Sequence, residues 1–299
     1  MKKDKNDQEY FGLTNDIIFG WVMKSDENCL AIIRAILPEL NITNIVHKEV
    51  QHEITPVNSA HGVRFDAVVQ DDQKRYYDIE MQVENTGDLG RRARYYQSQI
   101  DNETLMKGQT YHDLKESFVI FLCAFDPFGY GLRRYQFHRY EDSIRDLCFD
   151  THSHDVFINS EGTKGDISIS NDLAGIIDVM NQKPNQTNPL ASKLKKEIDY
   201  YNQDSEKRRE LMDYEARLLD ERLIGIKEGR QEGRIEGEKI GEEKGIKKER
   251  QEGVRNIIIE FKANQAAPSF IFQFVKNAYK GKLTDEEIQQ MIDDVEENE

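Results

Sequence analysis

Apolar positions between Leu13 and Leu37 recur at helical spacing: Ile17, Ile18, Trp21 and Val22, then Leu30, Ile33, Ala35, Ile36 and Leu37, until Pro38 closes the run. Thr14 or Asn15 is placed to cap this helix, and Asp16 falls in its first turn, where the helix dipole favours an acid. The period then shortens to two. Strands are predicted over roughly Asn44–Ile54, His61–Gln70 and Arg75–Val83, the last two joined by Asp71-Asp72-Gln73-Lys74, short enough for a hairpin. Asp88 to Lys107 is again helical in pattern and ends at Gly108. Ser117 to Ala124 is an unbroken apolar run, as in a strand buried on both faces. Asp126-Pro127-Phe128-Gly129 turns the chain, and Leu132–Tyr140 is read as a neighbouring strand. Helix, strands, helix, strand implies an α/β domain with a mixed sheet.

Charge divides the remainder. Residues 1–192 hold 20 Lys/Arg against 30 Asp/Glu, residues 193–255 hold 17 of each, and residues 256–299 hold 4 against 9. A folded domain is therefore expected over residues 10–160 and a connecting segment with a short helix over 161–192. A long charged helix should fill 193–255 and a small acidic helical tail 256–299. Gly225, Gly229, Gly233, Gly237, Gly241 and Gly245 fall every fourth residue. At about 0.8–1 kcal/mol per interior Gly, that helix is expected to be weakened or interrupted in its middle. The stripe reads either as a close-approach face for a homodimer or as a solvated linker helix. Thr284-Asp285-Glu286-Glu287 has the form of a capping box.

The formal charge of −15 removes the overall basic signature of most nucleic-acid binders, although a local patch is still open. Three widely spaced cysteines, Cys29, Cys123 and Cys148, suggest neither a disulfide framework nor a zinc cluster. With no apolar signal core at the start and no membrane-length stretch, a soluble cytoplasmic protein is expected.

The chemistry lies in the hairpin. In Tyr76-Tyr77-Asp78-Ile79-Glu80-Met81-Gln82-Val83, alternation puts Asp78, Glu80 and Gln82 on one face and Tyr77, Ile79, Met81 and Val83 on the other. In the preceding strand Phe65, Ala67 and Val69 are expected to face the core and Asp66 to point away, so Asp66 can approach Glu80. Two adjacent carboxylates repel, which raises a pKa unless a cation lies between them, and hard oxygen ligands favour Mg²⁺ or Mn²⁺. The bland alternative is a solvated strand face that binds nothing.

Asp66 followed by Glu80-Met81-Gln82 resembles the D…(D/E)-x-K signature of the PD-(D/E)XK nucleases. Thr14-Asn15-Asp16-Ile17-Ile18-Phe19, Val63-Arg64-Phe65-Asp66, Arg94-Tyr95-Tyr96, Leu105 to Tyr111 and Val119 to Gly129 narrow the likeness to the Rpn group, the recombination-promoting nucleases also called PD-(D/E)XK family transposases. The resemblance implies a restriction-endonuclease-like core, a mixed sheet flanked by helices, here with a long charged helical C-terminal extension. It also implies metal-dependent hydrolysis of DNA. Asp66 and Glu80 would be metal ligands for Mg²⁺, which Mn²⁺ can replace, with the Met81 main-chain carbonyl a third. Gln82 stands where the wider superfamily usually has Lys; it can place a water but brings no charge. Asp16 matches an acidic position of that group and is equally readable as a first-turn helix acid.

Arg91, Arg92 and Arg94, with Tyr95 and Tyr96, are the expected DNA-backbone contacts, against a solvated helix face with core tyrosines. Arg133, Arg134, His138 and Arg139 form a second basic cluster that reads equally as an exposed strand edge. His112, His152 and His154 lack a zinc-ligand pattern. Three functions are thus in competition: a nuclease, an inactive nuclease-derived DNA-binding or self-associating protein, and a helical interaction protein whose tail is the active part.

Overall fold

The computed structural model describes residues 9–54, 62–164, 169–183 and 187–296. They form two compact units, one through Asp213 and one from Tyr214.

The first helical run breaks into two helices, α1 (Asp16–Met23) and α2 (Asp26–Ile36). Asn15 caps α1 by accepting from the N–H groups of Ile17 and Ile18. The single helix expected over 13–37 is interrupted because Ser25 caps a second start, its hydroxyl accepting from the Asn28 N–H at 3.3 Å. Strands β1 (Ile45–Ile54), β2 (Val63–Asp71) and β3 (Tyr76–Gln82) follow as an antiparallel meander; His61, expected to open the second, lies outside the described residues. After α3 (Leu89–Thr104) come β4 (Ser117–Cys123), β5 (Arg134–Phe137) and β6 (Ser153–Asn159) in one sheet of order β1-β2-β3-β4-β6-β5. The sheet is mixed: β3 and β4 are parallel, as are β4 and β6, and β5 is antiparallel to β6.

Two expectations change here. The 134–137 strand does not border β4, because β6 inserts between them. Sequence reading missed β6: its first half, Ser153-His154-Asp155, is polar and hides the buried Val156, Phe157 and Ile158. The core also reaches past residue 160. Helices α4 (Asn171–Met180) and α5 (Pro189–Gln203) bury Leu173, Ile176, Leu194 and Ile198 in the same apolar cluster as α1, α2 and one face of the sheet. The short helix expected within residues 161–192 is α4, and it packs in this cluster. A sheet buried on both faces needs cover on each, and α3 covers the other, with Leu89, Ala93 and Ile100 against Phe65, Val119, Phe121 and Phe157.

Helix α6 (Ser205–Ala263) runs for 59 residues without the expected interruption; the break falls earlier, where Asp204 separates it from α5. In the second unit, α7 (Pro268–Ala278) and α8 (Asp285–Glu296) pack Ile271, Val275, Ile288 and Ile292 on Val254 and Ile258 of α6. The capping box at Thr284 and Glu287 is formed, with bonds of 2.9 and 3.2 Å. Among the described residues no helix is long and apolar enough to cross a membrane.

Candidate active site

The β2–β3 ladder runs from Gln70–Tyr76 to Ala67–Ile79 and stops there. Its next pair would be Asp66 and Glu80. Instead their side chains replace the ladder: the Asp66 N–H donates to Glu80 Oε1 at 2.9 Å, and the Met81 N–H donates to Asp66 Oδ2 at 3.0 Å. Each carboxylate therefore grips the other's strand. On the far side, Gln51, opposite Asp66 in the β1–β2 register, adopts φ of +56°, so β1 is distorted at the same level.

This distortion corrects the expected faces. Ala67 and Val69 pack with α1 and α2, whereas Phe65 belongs to the α3 side, its ring 5.2 Å from that of Tyr96. Strict alternation fails at Asp66 because the strand switches its inward face there. Nor is the acidic face solvated. Asp78 is fully buried and Glu80 is 3% exposed.

Burial, followed by the Asp66 charge, pushes Glu80 up to about 8, against bonds from the Asp66 N–H and Asp78 and the attraction of Arg92. Burial also raises Asp66, to about 6; the Met81 N–H pulls it down, the nearby Asp16 carboxylate pushes it up, and Arg64 and Arg92 lower it. Asp16 is itself raised by burial and lowered by Arg64. Asp78 is raised well above the usual carboxylate range, by burial and then by Glu80. Both Asp78 oxygens lack a donor among the described residues; the group within reach is the Glu80 carboxylate, so only a proton held between the two acids makes a hydrogen bond. This surplus of buried negative charge fits a cation. Among the described residues no three His, Cys, Asp or Glu side chains are grouped to hold a metal, so a site here rests on Asp66 and Glu80 with main-chain or solvent oxygen.

Beside the acids, a cavity of about 480 Å³ is lined by Arg64, Arg91, Arg92, Tyr95 and Tyr96, with Asp88, Gly62 and Val63. Arg91, Arg92, Tyr95 and Tyr96 are spaced by three and four residues and so share one face of α3. Arg94 is exposed and does not line this cavity, being about 200° around the helix from Arg92. Arg92 Nη1 donates to Gln82 Oε1 at 2.7 Å. Tyr96 lies close enough to Glu80, Asp78 and Asp66 for their charges to hold its hydroxyl proton more tightly, after the larger effect of burial.

Sequence reading did not single out Arg64 or Asp78 as site residues. Arg64 lies two positions before Asp66 on the same strand, and a cation at that spacing from a candidate ligand was the available signal. Alternation placed Asp78 on one face with Glu80, but its burial is decided by the cover over that face. The second basic cluster is partly engaged elsewhere: Arg133 Nε donates to the Gly162 carbonyl, and Arg134 pairs with Glu39.

No curated protein and no solved structure matches the chain. Residues 14–139, from the cap of α1 through β5, match the family described as PD-(D/E)XK nuclease family transposase.

Proposed function

We propose that the protein is a divalent-metal-dependent DNA endonuclease that hydrolyses phosphodiester bonds in the cytoplasm, in the service of recombination or transposition. The observation that carries this reading is the interlocked pair of half-buried Asp66 and buried Glu80, whose negative charge is only partly offset by Arg64 and Arg92. Asp66 and Glu80, with the Met81 carbonyl, would hold Mg²⁺, or Mn²⁺ in its place. Bound there, the ion would stabilise charge at the phosphate and make a water a better nucleophile. Gln82 would orient that water by hydrogen bonding. Asp16 would support the site from α1 as a further, half-buried acid near Asp66. Arg91 and Arg92, with the Tyr95 and Tyr96 hydroxyls, would seat the DNA backbone in the cavity beside the acids, and Arg94 would reach it only from outside that cavity.

Purified protein with Mg²⁺ or Mn²⁺ is expected to nick supercoiled plasmid, and Asp66→Ala and Glu80→Ala are each expected to lose at least roughly 10³-fold of that rate. Equal nicking by all three preparations would identify a contaminant and end the nuclease reading. Metal-responsive DNA binding without nicking would favour the inactive, DNA-binding alternative, for which the uncharged Gln82 speaks.

The Gly-spaced part of α6 would carry self-association. A Cβ added at Gly225, Gly229, Gly233, Gly237, Gly241 or Gly245 meets nothing within 4 Å, and Ile226, Ile235, Ile240 and Ile246 of the same stretch are exposed. Gly→Ala at 229, 233 and 237 together should stabilise a solitary helix by about 0.8–1 kcal/mol per site. If a second copy packs on the stripe, the same change should weaken the dimer seen by sedimentation; a wild-type mass of 34.9 kDa at all concentrations removes this part of the proposal.

A further inference from the structure

The strand carrying the acids has no cation of its own: Asp78, Glu80 and Gln82 point toward the α3 side without a Lys or Arg between them. The positive charge near them comes from elsewhere. Arg92 reaches from α3 and donates through Nη1 to Gln82 Oε1 at 2.7 Å, while its Nη2 lies 3.8 Å from Asp88 Oδ1 at the start of the same helix. A guanidinium only donates, so the atom facing it is the Gln82 amide oxygen. The amide NH₂ is then the end of Gln82 left to turn toward a ligand. Arg92 also acts on the acids directly, its charge attracting both Asp66 and Glu80.

We propose that Arg92 is a positioning residue that works through Gln82, the two side chains forming one unit in which Arg92 sets the amide orientation and supplies positive charge while Gln82 presents NH₂ to water or phosphate. This rests on the nuclease reading of the same site and departs from a purely phosphate-gripping role for Arg92. Its donors are partly committed inside the protein, unlike those expected of a backbone clamp. Arg91, one position earlier and exposed, is the better candidate for gripping DNA.

Moving the charge from helix to strand tests the unit. Full-length wild type, Arg92→Gln, Gln82→Lys and the Arg92→Gln/Gln82→Lys double variant are compared by three measurements, with thermal melts to confirm folding. These are Mn²⁺ affinity by calorimetry without DNA, duplex binding in Ca²⁺ by fluorescence anisotropy, and cleavage at saturating DNA. Arg92→Gln is expected to tighten Mn²⁺ binding by roughly 3- to 10-fold, because a cation beside the acids is gone. It should nevertheless slow cleavage at saturating DNA roughly 100-fold, a loss that added DNA does not restore. The double variant should move both Mn²⁺ affinity and cleavage back toward wild type, and Gln82→Lys alone should weaken Mn²⁺ binding.

Opposite movement of metal affinity and rate is not produced by local collapse, which weakens both. The proposal is overturned if Arg92→Gln lowers duplex affinity and reduces the salt slope by about one while cleavage at saturation is unchanged, the behaviour of a phosphate clamp. It is equally overturned if the folded double variant recovers nothing. A wild type that binds Mn²⁺ through Asp66 and Glu80 yet never cleaves sinks the nuclease reading alone, and the order of Mn²⁺ affinities then decides the role of Arg92. A wild type that neither binds Mn²⁺ nor cleaves ends both.

Discussion

Glu80→Gln should cost the protein its metal-dependent cleavage, by roughly 10³-fold or more, and yet make the metal-free protein more stable. The amide keeps the shape of the carboxylate, so its oxygen can still accept from the Asp66 N–H. Its NH₂ can donate to Asp78, whose oxygens have no donor among the described residues. What disappears is a buried negative charge beside Asp66. The pH dependence follows from proton binding. Glu80 titrates near 4.5 when unfolded and is pushed up to about 8 when folded, so between those values the folded chain holds a proton that the unfolded chain has lost. Its stabilising contribution is complete below about 4.5 and is lost as the pH rises toward 8. Asp66, raised from 3.8 to about 6, adds a loss of the same sign at lower pH.

Metal-free wild type should therefore lose stability on the order of 3 kcal/mol across this range, and Glu80→Gln should flatten the profile. Melting curves in EDTA at pH 5 and pH 8 read the difference directly. Adding Mg²⁺ at pH 8 should raise the melting temperature of wild type and leave the variant unmoved. A variant that melts lower than wild type at pH 8, or responds to Mg²⁺ as wild type does, contradicts the picture of a charge-strained cation site.

Asp71→Ala is the second large effect, and it strikes stability first. Asp71 ends β2 and is fully buried. One oxygen accepts from the N–H groups of Gln73 and Arg75, both at 2.9 Å; the other accepts from Arg75 Nε at 2.7 Å and from the Tyr77 hydroxyl at 2.9 Å. Alanine would leave the Arg75 guanidinium, 8% exposed as a residue, without its anion in the interior. Loss of one member of a buried ion pair costs about 3–5 kcal/mol, which urea unfolding would register as a large fall in midpoint. Asp71→Asn should lose less, since an amide oxygen can still accept the turn N–H groups. A midpoint within about 0.5 kcal/mol of wild type would show that the hairpin is held by something else. The consequence reaches the site because the β2–β3 ladder is only four residue pairs long, and a slip of one residue would put Asp66 and Glu80 on opposite faces.

The legible parts of this protein were those governed by local periodicity. Capping by Asn15, the meander of β1 to β3, the buried β4 and the approach of Asp66 to Glu80 follow from apolar spacing, turn residues and alternation close along the chain. Asp71 shows where that reading stops: among Asp72, Gln73 and Lys74 it looks like an ordinary polar turn residue, and only the inward turn of Arg75 and Tyr77 makes it a buried anchor. β6 was illegible for a related reason. Its value as a strand comes from lying between β4 and β5, and its polar first half gave no hydrophobic signal.

By itself the sequence determined the element types of the first half, the family likeness, and the chain of acids on the hairpin. Tertiary structure decided the environment of those acids. Covering the sheet with α3 removed water from Asp78 and Glu80, and the switch of face at Asp66 turned two alternating side chains into an interlocked pair. It also brought Arg92 beside them and seated α4 and α5 in the core. The reason is physical: periodicity reports which side of an element is apolar, whereas desolvation and charge coupling depend on which other element lies over it.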